Sequence, residues 1–136
     1  MGYRSLSVTL TIVCATVCLY GEKSSWADSG PPLQDVNYGV LVGTWVRTDG
    51  GYVIRVGEIK PDGQVVAEYF NPRPIYVDEA IAAKQKEHLK LFIKLQDRGY
   101  PGSTYTLYYF AEKDALAGFY YQASMDKTFE VIFLRK

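Results

Sequence analysis

The chain has 136 residues, the size of one domain, and its 15 basic and 15 acidic residues cancel at neutral pH. A balanced surface without a cluster of Lys and Arg lacks the electrostatic footprint of nucleic-acid binding, so that class is disfavoured. Two cysteines and a single histidine leave little material for soft-metal ligation or nucleophilic catalysis.

The N-terminus reads as an export signal. Met1 to Arg4 carries one positive charge, and Ser5 to Tyr20 holds no charged residue and is mostly apolar or small. That run is shorter than the ~20 residues a membrane-crossing helix needs. Ser25-Trp26-Ala27 puts small residues at the two positions a signal peptidase reads, which places cleavage after Ala27 and makes residues 1–27 the signal peptide. A retained amphipathic helix or N-terminal anchor is the alternative. A lipoprotein would acylate Cys14 or Cys18, but Val precedes each where a small residue is wanted. Loss of residues 1–27 leaves 13 basic and 14 acidic residues and no cysteine. The exported chain, periplasmic or secreted, therefore folds without disulfides and without a stable membrane span.

Residues 28–39 are polar and proline-bearing and read as a flexible lead-in to a domain at 40–136. Eight strand-like segments follow. Leu41 to Arg47 ends at Thr48-Asp49-Gly50-Gly51, and Tyr52 to Ile59 ends at Lys60-Pro61-Asp62-Gly63, both turn sequences. Gln64 to Phe70 leads into Asn71-Pro72-Arg73-Pro74. Ile75 to Ala83 is the fourth strand, although Asp78 to His88 carries enough helix propensity to form a short helix instead. Leu89 to Gln96 alternates cleanly, with Leu89, Leu91, Ile93 and Leu95 on one face. After the Asp97–Gly102 turn come Thr104 to Ala111, Leu116 to Ala123 and Phe129 to Arg135. Connections of two to six residues demand antiparallel hairpins. The expected fold is all-β: an eight-stranded antiparallel up-and-down meander barrel, with a two-sheet sandwich as the alternative.

Period-two alternation then assigns faces. Gly43, Trp45 and Arg47 share a side, as do Tyr52, Ile54 and Val56. Leu116, Gly118, Tyr120 and Gln122 point inward, and so do Phe129, Val131, Phe133 and Arg135. Gly118 would let the backbone approach a bulky neighbour such as Trp45. The 12 tyrosines are suited to a cavity that grips an apolar body and directs one polar group. Tyr52, Tyr69, Tyr108 and Tyr120 are the candidate ligand-binding residues. The stiff Asn71–Pro74 loop would hold Arg73 at a barrel mouth, and Tyr100 would join it from the Asp97–Ser103 loop.

Leu41-Val42-Gly43-Thr44-Trp45 resembles the opening strand of the calycin barrels, the lipocalins and avidins. Leu116-Ala117-Gly118-Phe119-Tyr120 is similar to the Gly-x-Tyr rhythm of avidin strands, and Arg135 resembles the lipocalin arginine that stacks across the first-strand tryptophan. The resemblance implies a lipocalin/avidin-like barrel in which Gly43, Trp45, Gly118 and Arg135 are structural. The tryptophans of the avidin biotin site are missing, which argues against biotin. Tyr69 to Ile75 and Gly99 to Tyr105 are similar to stretches of a group of short exported bacterial proteins, a likeness that implies export and no particular reaction.

Catalysis finds little support. His88 lies beside Glu87 at a strand start, and no nucleophile-elbow sequence surrounds Ser29, Ser103 or Ser124. Asp78 and Glu79 are adjacent, so on a strand their carboxylates face opposite ways. No metal or other cofactor is implied. The expectation is an exported, non-enzymatic β-barrel that binds a small, partly apolar molecule in a tyrosine-rich cavity. The rival is an envelope or secreted interaction or inhibitor module that works through its loops around a filled core. A cofactor-free enzyme with a carboxylate at the barrel mouth is the third reading.

Overall fold

The structure is a computed structural model in which residues 36–136 are described. The signal-peptide assignment, Cys14, Cys18, Trp26 and most of the lead-in lie outside the described residues.

A 3₁₀ turn at Tyr38–Leu41, in which the Asn37 side chain accepts from the Gly39 amide, opens the domain two residues ahead of the expected start. Nine strands follow: β1 Gly43–Arg47, β2 Val53–Ile59, β3 Val65–Asn71, β4 Arg73–Ile75, β5 Val77–Gln85, β6 His88–Asp97, β7 Tyr100–Phe110, β8 Ala115–Gln122 and β9 Lys127–Arg135. All pair antiparallel in the order β4-β3-β2-β1-β9-β8-β7-β6-β5, an up-and-down meander that comes close to closing on itself. The sequence predicts eight strands, and the difference arises at the fourth. The segment 75–83 is extended rather than helical, but it is part of two strands that meet at Tyr76.

The break has a local cause. Pro72 and Pro74 carry no N–H, so β4 can ladder along β3 for only three pairs, Tyr69↔Ile75, Phe70↔Pro74 and Asn71↔Arg73. At Tyr76 the chain turns its hydrogen bonds to the other neighbour: its carbonyl accepts from the Gln96 amide and its own N–H donates to the Asp97 carboxylate. β5 then runs along β6 with one bulge, between Val77 and Glu79. Contact with β3 resumes at the Gln64↔Ile81 bridge and at the Ala82 N–H···O Gly63 bond of 2.7 Å. The barrel is thus stitched at both ends of the β3–β5 seam and open between them.

β7 starts at Tyr100, four residues earlier than alternation suggests, because Asp97↔Tyr100 and Gln96↔Pro101 are already paired. Gly99 (φ 87°) and Gly102 (φ 81°) both take the left-handed conformation that this tight turn and the bulge after it require.

Two further hairpins share one construction. Tyr108-Tyr109-Phe110-Ala111-Glu112-Lys113-Asp114 and Tyr120-Tyr121-Gln122-Ala123-Ser124-Met125-Asp126 repeat the pattern Tyr-Tyr-x-Ala-x-x-Asp. Each builds a 3₁₀ turn closed by a left-handed Asp, Asp114 (φ 43°) or Asp126 (φ 51°). In each, the second tyrosine donates its hydroxyl to that aspartate, at 3.0 Å. Asp tolerates the left-handed region better than most residues, and here its side chain is also anchored.

The core follows the alternation. Trp45, Ile54, Leu91, Ile93, Leu95, Leu107, Leu116 and Phe133 are all fully buried. At the end of the barrel that holds the 3₁₀ turn, the Trp45 indole N–H donates to Leu41 O at 2.9 Å. The Arg135 guanidinium lies 4.2 Å from the center of the Trp45 ring. It donates to the carbonyls of Val40 and Val42 and grips Asp114 with two N–H groups. Gly43 (φ 140°) leaves room for it: a Cβ there would stand 2.6 Å from an Arg135 nitrogen. This end is plugged.

Gly118 also permits a close approach, though not to Trp45. A Cβ at Gly118 would lie 2.0 Å from the carbonyl oxygen of Thr106, so it is the β7 backbone that comes near.

Candidate functional site

The opposite end is the mouth. The ends of β1, β3 and β8 meet the beginnings of β2, β7 and β9 there, and side chains from these elements converge on it. Arg47 comes from β1, Tyr52 from the turn before β2, Asn71 from β3, Tyr100 from β7, Tyr120 and Gln122 from β8, and Phe129 from β9. Together with Gly99 they line a cleft of about 430 Å³ that opens outward.

Arg47 forms its floor. Its side chain is only 10% exposed, and Asp49, at 56%, holds it from the solvent side through Nε and Nη2. Nη1 donates to the Tyr105 hydroxyl at 3.3 Å. The guanidinium lies over the Tyr52 ring at 4.5 Å and near the Tyr120 ring at 5.8 Å. Burial by itself would lower the Arg47 pKa, but the bonds to Asp49 and Tyr105 outweigh it and raise it. The Asp49 carboxyl is held below its ordinary range by the same bond.

Beneath the cleft the interior is packed. The Tyr69 and Tyr105 hydroxyls meet at 2.9 Å, both side chains fully buried. Tyr105 stacks on Tyr120 at 4.6 Å, and Tyr69 meets Tyr100 edge to face at 6.0 Å. Burial pushes the Tyr105 phenol up to about 12, although its bonds to Tyr69 and Arg47 pull the other way. Burial likewise raises Tyr69, and the neighbouring Tyr105 adds to it. Fully buried Ser103 accepts from the Ala123 amide at 3.2 Å, which ties the second Tyr-Tyr-x-Ala-x-x-Asp turn to the mouth. Asn71 donates to the Tyr100 hydroxyl.

Four of the sequence-derived candidates converge here. Tyr52, Tyr100 and Tyr120 line the cleft and Tyr69 lies under it. Tyr108 does not belong with them. Ser103, Tyr105 and Leu107 alternate inward, so Tyr108 takes the outer face, where its hydroxyl reaches Gln85 at 3.5 Å. Tyr100 has the same parity as Tyr108 yet reaches the cleft, because the register shifts between Pro101 and Thr104; Ser103 and Leu107 around Tyr105 are the signal that separates Tyr105 from Tyr108. Arg73 is exposed on β4 and does not line the cleft. Its charge instead helps hold the Asp97 carboxyl down, behind the larger effect of the Tyr76 and Arg98 amides. Sequence reasoning placed Arg47 inward but gave it no role, and it missed Tyr105 and Asn71.

Two concavities lie away from the mouth. One of about 620 Å³ runs past His88 and Phe110 beside the β7–β8 turn, and one of about 540 Å³ crosses the outer face at Phe119 and Ile132. Among the described residues no group of three His, Cys, Asp or Glu could hold a metal ion, and no helix is long and apolar enough to cross a membrane. Neither a protein-family model, nor a curated protein, nor a solved structure matches the chain.

Proposed function

We propose that this is a non-enzymatic binding barrel that takes a small, partly apolar molecule at its mouth. The observation that carries the reading is the cleft itself: aromatic walls from Tyr52, Tyr100, Tyr120 and Phe129 around a buried, still charged guanidinium. Small-molecule sites combine apolar walls with a few convergent polar groups in this way. The expected internal cavity gives way to an open one because Tyr69, Tyr105 and Phe133 fill the space below. The calycin-like architecture is part of the proposal, supported by the meander order and by the Arg135–Trp45 contact. So is export, which N-terminal sequencing of the protein from its own host tests: a start at Asp28 supports it, and a start at Met1 removes it.

Native mass spectrometry of the protein from its host, before and after denaturation, tests the binding reading. A reproducible extra mass that is lost on unfolding, and lost in Tyr120→Ala, is the expected outcome. A ligand-free mass with no small-molecule shift at the mouth in NMR titrations overturns it.

The interaction-module reading expects action through the loops; the observation that favours it lies instead on a strand face. Phe110, Phe119, Ile132 and Leu134 are 41–48% exposed on β7, β8 and β9. If that reading holds, Phe119→Ser with Ile132→Ser abolishes co-purification of a partner and leaves ligand binding at the mouth intact.

A further inference from the structure

The chemistry of the ligand can be narrowed from the mouth's own donors, and the argument rests on the binding reading above. A guanidinium carries five N–H groups and accepts none. In Arg47 three of them are engaged: Nε–H and one Nη2–H on Asp49, and one Nη1–H on Tyr105. One N–H on each terminal nitrogen is left without a partner among the described residues. On a side chain nine-tenths buried, donors left unmade cost free energy unless an acceptor reaches them. The cleft is the open space beside them.

The charge balance favours an anion as that acceptor. Among the described residues that line the cleft, none is acidic. Asp49 neutralises Arg47 from the solvent side, where its exposure to water weakens the repulsion it exerts on a second anion. An incoming carboxylate therefore meets a desolvated cation and is little repelled by Asp49. Two N–H groups on adjacent terminal nitrogens also match the two oxygens of a carboxylate.

The walls set the rest of the molecule. Tyr52 and Tyr120 already offer faces to a planar cation, and Phe129 lies 6.5 Å from Tyr120 in a near-parallel arrangement. A flat apolar ring extends such a stack at small entropic cost. Tyr100, whose oxygen accepts from Asn71, keeps its O–H for a polar substituent.

We propose that the mouth cleft binds an aromatic carboxylate, with the ring against Tyr52, Tyr120 and Phe129 and the carboxylate on the two free N–H groups of Arg47.

The test uses naphthoate and its uncharged isostere naphthamide as probes, with calorimetry for affinity and amide NMR for location. Naphthoate is expected to bind about tenfold or more tightly than naphthamide, with both shifting the amides of Arg47, Tyr52 and Tyr120. Arg47→Lys keeps the charge but removes the fork and is expected to erase most of that preference. Arg73→Gln, an exposed substitution away from the cleft, is expected to preserve it. Because the acid-to-amide ratio is measured on the unaltered protein, the result stands even if Arg47→Lys fails to fold. Equal affinity of the two probes at the mouth overturns the carboxylate assignment and leaves the binding reading in place. Absence of mouth shifts with either probe overturns both.

Discussion

Tyr105 is the residue on which the mouth and the core meet. It receives a hydrogen bond from Arg47, exchanges one with Tyr69 and stacks on Tyr120. Removing its hydroxyl orphans two buried groups, the Tyr69 hydroxyl and an Arg47 N–H, whereas removing the Tyr69 hydroxyl leaves Tyr105 still bonded to Arg47. Tyr105→Phe is therefore expected to cost more than Tyr69→Phe, with each loss in the range of about 1–3 kcal/mol. Urea denaturation of the two variants checks the order. The same tyrosines set a pH dependence. A phenol whose folded pKa stands near 12, above its ordinary value of 10.0, stabilises the fold fully below about pH 10. That stability is lost as pH rises from 10 to 12, when the unfolded chain ionises first. Unfolding free energy should fall across this window, and Tyr105→Phe should flatten the slope. Alternation alone puts Arg47 and Tyr120 on the inner face, whereas Tyr108 enters as a cavity tyrosine with no face assigned to its strand. The three tyrosines of Thr-Tyr-Thr-Leu-Tyr-Tyr look alike by residue type; Ser103 and Leu107, two steps on either side of Tyr105, mark it as the buried one.

At the level of elements the weakest feature is the β3–β5 seam. It depends on the Gln64↔Ile81 bridge and the Ala82 N–H···O Gly63 bond at one end and on the short β4 ladder at the other. Gly63 (φ 88°) sits where a Cβ would be 2.3 Å from the Ala82 carbonyl oxygen. Gly63→Ala is expected to open that end and to destabilise by more than about 1 kcal/mol, since both the backbone conformation and the space exclude a methyl group. Hydrogen exchange at Ala82 should quicken in this variant while β6 and β7, paired along most of their lengths, keep their protection. Unchanged exchange at Ala82 would mean that the seam is not held there. The prolines that cut β4 short were legible in the sequence as a stiff connection. Their effect on closure was not, because it depends on which neighbour each edge of the segment meets.

For the molecule as a whole, the two ends of the barrel have opposite characters. One is plugged by Trp45 under Arg135, with Asp114 and two backbone carbonyls completing the guanidinium's bonds. The other keeps Arg47 partly unpartnered beneath an open cleft. A continuous core joins them through Tyr105, Phe133 and Leu116, so both ends should melt together. In a chain that starts at Asp28, Trp45 is the sole tryptophan, so its fluorescence reports the plugged end, while the Tyr120 amide resonance reports the mouth. The two thermal transitions are expected to coincide. A mouth that melted first would mean that the cleft is a separate cooperative unit.

Local pattern was enough to determine the antiparallel meander, most strand positions and the inward faces of β1, β2, β6, β8 and β9, because short connections and period-two alternation are properties of neighbouring residues. The repeated Tyr-Tyr-x-Ala-x-x-Asp turn was equally open to a local reading. Only the tertiary structure decided that the interior is filled, that the tyrosine hydroxyls pair with each other, and that the free donors gather at one end. Those outcomes depend on how side chains from strands 20 to 60 residues apart share one volume, and neither spacing nor composition encodes that.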